Sequence, residues 1–144
     1  MNETLVVNGD NAVIGRLAAW TANKLLTGST IVIYNTEKTV FSGNAKKIAV
    51  RYKEKRDIQL KGNPDNSPKI PRRPDLLFKR VVFGMLPTSR RNTRRDALRK
   101  LRCYLGEPDA YKGKGVKPVK TGDKLHGKST TMLEISQRLG WDKM

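Results

Sequence analysis

Thr4-Leu5-Val6-Val7-Asn8-Gly9 and Thr30-Ile31-Val32-Ile33-Tyr34 are two short runs of aliphatic and β-branched residues, each the length of one buried strand. Between them Ile14, Leu17, Ala18, Thr21, Ala22, Leu25 and Leu26 recur at helical spacing, and Gly28 stands where such a helix needs a left-handed C-terminal residue. Strand, helix and strand within about 30 residues is the length of one β-α-β crossover, whose two strands run parallel. The stretch 4–34 therefore predicts an α/β protein.

Reading outward, Ser42-Gly43-Asn44 offers helix-start chemistry, and Ala45, Ile48, Ala49 and Tyr52 give the stripe of an amphipathic helix. The opposite face carries Lys46, Lys47, Arg51, Lys53 and Lys55. Asp57-Ile58-Gln59-Leu60 reads as a short third strand. Pro64, Pro68, Pro71 and Pro74 then stiffen an extended basic loop over 61–74. Leu76, Leu77, Phe78, Val81, Val82, Phe83, Met85 and Leu86 predict a buried helix with Asp75 as N-cap, stopped at Pro87. Thr93-x-x-Asp96 resembles a capping box for a helix burying Ala97, Leu98 and Leu101, and Cys103-Tyr104-Leu105 reads as a last strand. Thr131-x-x-Glu134 starts a final helix with Met132, Ile135 and Leu139 on one side, ending at Gly140. The expected organisation is a core over 1–108 and a basic Lys/Gly extension over 109–144 that closes in a short helix.

The charge narrows the function. Of 144 residues, 30 are Lys or Arg and 13 Asp or Glu, for a net charge of +17. Residues 1–45 hold three of each sign and 129–144 two of each, so the remaining 25 basic and 8 acidic residues all fall between 46 and 128. A one-sign stretch repels itself, whereas a nucleic-acid binder gains affinity from it by displacing counterions from phosphates. The lone Cys103 excludes a disulfide-stapled fold, and no run approaches the ~20 apolar residues of a membrane span. The expectation is a cytoplasmic protein with a polyanionic partner.

Enzyme-like features are few. Gly9-Asp10-Asn11-Ala12-Val13-Ile14-Gly15 lies between a strand and a helix, where phosphate loops sit, but lacks G-x-G-x-x-G spacing. Arg16-Leu17 also replaces the Lys-Ser/Thr pair of a P-loop, so the turn reads as tight backbone with Gly15 allowing close helix packing. A single histidine, His126, offers no metal cluster, and Cys103 in an apolar run reads as a core residue. No catalytic residue, cofactor or metal is expected.

Arg90-Arg91-Asn92-Thr93-Arg94-Arg95 is the densest basic cluster and runs into a helix start, where guanidinium forks and free amides suit phosphate. Arg72 and Arg73 project from the proline-stiffened segment, Lys79 and Arg80 mark the exposed side of a buried helix, and Arg99 continues the next one. Lys112, Lys114, Lys117 and Lys120 alternate with Gly113 and Gly115, so 111–128 is expected to order only on its partner. These residues, with Lys46, Lys47, Arg51, Lys53 and Lys55, are the candidate RNA-binding set. Trp20 reads either as a platform for a base or as cover for the sheet edge or a neighbouring helix. No array of exposed rings and no paired recognition helices appear, so backbone and shape recognition of a folded RNA is expected.

Several strings together resemble a known family. They are Ile14-Gly15-Arg16-Leu17-Ala18, Val32 to Lys38 running on to Ser42-Gly43-Asn44, and Arg73-Pro74-Asp75. To these are added Val82-Phe83-Gly84-Met85-Leu86-Pro87 and Ala97 to Gly106. The chain resembles the universal large-subunit ribosomal protein family L-thirteen over most of 4–108, with Arg73-Pro74-Asp75 and Leu139-Gly140-Trp141 closer to archaeal and eukaryotic members. It departs at Arg91-Asn92-Thr93-Arg94, where the family commonly has Arg-Gly-Arg. The resemblance implies a three-layer α/β/α fold around a four-stranded parallel sheet, contacts to large-subunit ribosomal RNA, neighbouring ribosomal proteins as partners and a role in subunit assembly without catalysis. Some relatives also bind mRNA in translational control, which leaves a free-standing RNA-binding regulator of translation as the alternative.

Overall fold

The computed structural model describes residues 4–88, 91–116 and 122–142, without the side chains of Arg91 and Lys124. In chain order the elements are β1 (Thr4–Asn8), α1 (Ile14–Leu26), β2 (Thr30–Tyr34), β3 (Val40–Ser42), α2 (Ala45–Asp57), α3 (Pro74–Met85), α4 (Arg91–Arg99), β4 (Leu101–Cys103), β5 (Ser129–Thr131) and α5 (Met132–Arg138). Short 3-10 turns lie at Thr36–Lys38, Pro64–Asn66, Asp109–Tyr111 and Gly122–Lys124.

The β-α-β unit forms as expected. β1 and β2 pair in parallel from Thr4↔Thr30 to Asn8↔Tyr34, and β4 joins the other edge of β2 through Ile31↔Leu101 and Ile33↔Cys103. Gly28 (φ +96°) ends α1 with Ser29 N donating to Lys24 O and Gly28 N to Leu25 O, a Schellman closure. In place of the four strands expected, the described residues hold three in this sheet. Among the described residues, the free edge of β1 carries a single bridge, Val116 N donating to Val6 O and Asn8 N to Val116 O.

A second, antiparallel pair has no counterpart in the sequence reading: β3 and β5 meet through Val40↔Thr131 and Ser42↔Ser129. Thr130 Oγ1 donates to Gly43 O at 2.8 Å across 87 residues of chain. The expected strand at 57–60 is absent: α2 runs on to Asp57, and Ile58 and Leu60 are 50% and 47% exposed. Lys55 and Arg56 in the last turn favour that longer helix by facing its negative end.

The helix starts also differ in detail. Pro74 takes the first helical position of α3, for which its fixed φ is suited, so Asp75 lies inside the first turn and Arg73 at the cap. α4 begins at Arg91, which puts Thr93 within its first turn and the cap position on residue 90, outside the described residues. Cys103 ends β4, and Tyr104 keeps one further bond to β2, its N donating to Ile33 O at 2.8 Å, before the chain turns away. α5 begins where expected: Thr131 Oγ1 accepts from Glu134 N, and Gly140 (φ +84°) closes the helix.

One core joins these elements. α1 and α3 pack on each other, bringing Leu17, Ala18 and Leu25 against Leu77, Phe78 and Val82 beside Ile31, Ile33 and Leu101 of the sheet. Met132, Ile135 and Leu139 of α5 belong to the same cluster, with Met132 and Ile135 wholly buried. The final helix is thus a core element rather than the tip of an appendage. Each such side chain contributes roughly 1.5–3 kcal/mol by leaving water.

Candidate nucleic-acid interface

The carboxyl ends of the parallel strands are where a doubly wound fold holds its ligand. Here the chain fills that place itself. Asn35, in the left-handed region (φ 55°), donates from Nδ2 to Asn8 Oδ1 at 3.0 Å, and Asp10 N donates to the same oxygen. Gly106 N donates to both oxygens of the buried Glu37 at 2.9 and 3.1 Å, and Thr36 Oγ1 donates to Tyr104 O. Gly9 is the glycine that close packing requires, since a Cβ there would lie 2.9 Å from Tyr34 O. Gly15, expected in that role, is exposed with nothing within 4 Å of an added Cβ. Burial pushes the Cys103 thiol up to about 12, Lys79 opposing and Asp75 reinforcing, which keeps it protonated and unreactive at neutral pH.

The exposed face of α2 is the clearest cationic surface. Asn44 Oδ1 accepts from Lys46 N at 2.9 Å and sets the helix phase, which buries Ala45 and Ala49 and half-buries Ile48 and Tyr52. Lys46, Lys47, Arg51, Lys53 and Lys55 are all left exposed. Among the described residues the ion pairs are Arg73–Asp75, Arg99–Asp96, Lys112–Asp109 and Arg138–Glu134, and none involves α2. Gly43 N donates to Lys128 O at 2.7 Å, so the exposed Lys128 joins the N-terminal end of this face. The sequence reading holds Lys128 only as part of the Lys/Gly segment 111–128; the β3–β5 pairing is what brings it beside α2.

Beside α2 lies a cleft of about 250 Å³ lined by Phe41, Ser42, Ile48, Arg51, Tyr52 and Lys55. The Phe41 and Tyr52 rings meet edge to face, 6.4 Å apart and 77° to one another. Burial raises the Tyr52 phenol above its usual value, with the Arg51 charge opposing.

The other candidates divide into free and engaged groups. Arg94 is engaged: its guanidinium stacks 3.5 Å from the Phe83 ring centroid, and Nε and Nη2 both donate to Phe83 O. That carbonyl is among the last of α3 and has no helical partner of its own, so Arg94 ties α4 to the end of α3. Arg73 forms a fork with Asp75, at 3.2 and 2.9 Å, and Arg72 reaches Gly140 O at 3.5 Å, at the end of α5. Arg99 and Lys112 pair with Asp96 and Asp109 on exposed surface, where such pairs exchange readily for phosphate. Arg80, over the Phe83 ring at 5.7 Å, Arg95 and Lys114 are exposed, while Lys79 is half-buried. Arg90, Lys117 and Lys120 lie outside the described residues, as does the Arg91 side chain. Trp20 is half-buried and packs on the core, the covering role of its two readings.

Comparison with known proteins places this arrangement. The model of a family described as "Ribosomal protein L13" matches residues 2–110. Proteins named "Large ribosomal subunit protein uL13" are similar over nearly the whole chain. The one from Methanopyrus kandleri is 38% identical, covering 96% of this chain and 88% of that protein. The one from Archaeoglobus fulgidus is 36% identical, with 94% and 87% covered. The one from Haloarcula marismortui is 34% identical, with 96% and 92% covered. With a family model spanning well over half its length and archaeal relatives this similar end to end, the chain belongs to the Ribosomal protein L13 family.

Proposed function

We propose that this chain is a non-catalytic structural constituent of the large ribosomal subunit, located in the cytoplasmic ribosome, where it binds ribosomal RNA and supports subunit assembly beside neighbouring ribosomal proteins. The observation that carries the reading is the exposed face of α2, with five cations that have no ion-pair partner among the described residues, in a chain of net charge +17. Each Lys or Arg neutralises phosphates of RNA helices that otherwise repel, so the protein holds a junction together. The RNA-facing set comprises α2 with Lys128, Arg80, Arg95 and the exchangeable Arg99 and Lys112. Arg90, Arg91, Lys114, Lys117 and Lys120 extend it, while Arg72, Arg73 and Arg94 first serve the fold.

Two features support a role without catalysis: the strand ends are closed by the chain's own hydrogen bonds, and the one thiol is held neutral. The family reading also carries the fuller architecture, a four-stranded parallel sheet between two helical layers, which the parallel bridge of Val116 to Val7 supports. Sedimentation of cell lysate tests the function. The protein is expected to travel with large subunits after a high-salt wash. Recovery in the salt-washed supernatant with mRNA, as a free-standing regulator requires, overturns it.

A further inference from the structure

The cleft beside α2 has a shape and lining that phosphate neutralisation alone does not need. Its two rings stand at 77°, forming a corner rather than a filled stack, and both are only half-buried. Of the other lining residues Ile48 is half-buried, while Ser42, Arg51 and Lys55 are exposed. Neither the Ser42 hydroxyl nor the Tyr52 phenol is hydrogen-bonded to any of the described residues, and neither Arg51 nor Lys55 is in an ion pair among them. An apolar corner of two aromatic rings, two open polar groups and two cations suit a flat heteroaromatic ring joined to an anion.

We propose that this cleft receives a single unstacked nucleobase of RNA, the ring lying against Tyr52 and Phe41 and its phosphate held by Arg51 and Lys55. The inference rests on the ribosomal RNA reading above and adds to it a base-holding subsite on an otherwise backbone-reading surface. The occupant follows from charge. An apolar side chain of a neighbouring protein would fill the corner but leave Arg51 and Lys55 without an ion-pair partner, whereas a nucleotide brings its own phosphate. Stacking of this kind is tolerant of base identity, because every base has a π-face.

The test uses the full chain with deproteinised large-subunit ribosomal RNA. Ultraviolet cross-linking followed by nuclease digestion and mass spectrometry is expected to leave a one-nucleotide adduct on Phe41 or Tyr52. Tyr52→Ala is expected to weaken binding about tenfold or more with the slope of log affinity against log salt unchanged, since every phosphate-neutralising cation remains in place. Arg51→Gln is expected to reduce that slope by about 0.7, the value for one phosphate of an unpaired strand. A melting curve checks that Tyr52→Ala folds. Ser42→Leu, which fills the cleft from an exposed position, is expected to lower affinity in the same way. If the unaltered protein binds but both Tyr52→Ala and Ser42→Leu match it, the cleft proposal is overturned while the RNA reading stands. If the unaltered protein does not bind, both fall. A cross-link from Tyr52 to a neighbouring protein in intact subunits, in place of a nucleotide, also overturns the subsite.

Discussion

Arg94 shows how one guanidinium can be withdrawn from a cationic cluster. Its planar fork gives two hydrogen bonds to Phe83 O and stacks on the Phe83 ring, which an ammonium cannot do together. Arg94→Lys is therefore expected to destabilise the fold by about 1–2 kcal/mol, the scale of one hydrogen bond and a cation–π interaction, while leaving the salt dependence of RNA binding unchanged. Urea unfolding paired with a salt titration measures both. Cys103 offers a second single-residue test. Its thiol rises from 9.0 to about 12 in the fold, chiefly through burial. The stabilisation from keeping it neutral is fully present below the unfolded value and is lost as pH climbs through the folded one. Across pH 9 to 12, stability is thus expected to fall more steeply than in Cys103→Ala, whose lysines titrate alike. Parallel slopes for the two proteins would count against a buried neutral thiol.

At the scale of elements, α2 links local sequence to function most directly. Asn44 sets where the helix begins, and that phase alone separates Ala45 and Ala49 from the cations at 46, 47, 51, 53 and 55. Replacing Lys46, Lys47, Arg51 and Lys55 by Gln is expected to weaken rRNA binding and to flatten the salt slope by up to about 0.9 for each phosphate no longer neutralised. An unchanged slope in a nitrocellulose filter assay would remove α2 from the interface. The helices themselves are legible in the sequence because stripes and closing glycines act within a few residues. The strand expected at 57–60 and the caps expected at Asp75 and Thr93 fail for a related reason. Short polar–apolar strings suit more than one conformation, and a proline at the first helical position or favourable charges in a last turn decide between them.

For the molecule as a whole, the excess of positive charge opposes the compact state that positions it. Salt screens that repulsion, so the melting temperature of the free protein is expected to rise between about 50 mM and 500 mM KCl, where the Debye length shrinks severalfold, while rRNA affinity falls over the same range. Differential scanning calorimetry beside binding isotherms separates the two trends. The same scale decides the status of the C-terminal stretch. Met132 and Ile135 lie wholly inside the core shared with α1 and α3, so deleting residues 129–142 is expected to abolish cooperative unfolding rather than to trim a tail. A sharp transition at nearly unchanged temperature would show the core closing without them.

Short-range chemistry in the chain determined the β-α-β start, the faces of α1, α2 and α5, and the placement of all net charge between residues 46 and 128, because periodicity, caps and composition are written in neighbouring residues. Tertiary structure alone decided which cations stay available. Phe83 O engages Arg94, Gly140 O engages Arg72, and the β3–β5 pairing carries Lys128 to the head of α2. Segments that meet in this way lie far apart in sequence, as Val40 and Thr131 of the β3–β5 pair do, and no local pattern records which distant carbonyl will meet a given guanidinium once the core has closed.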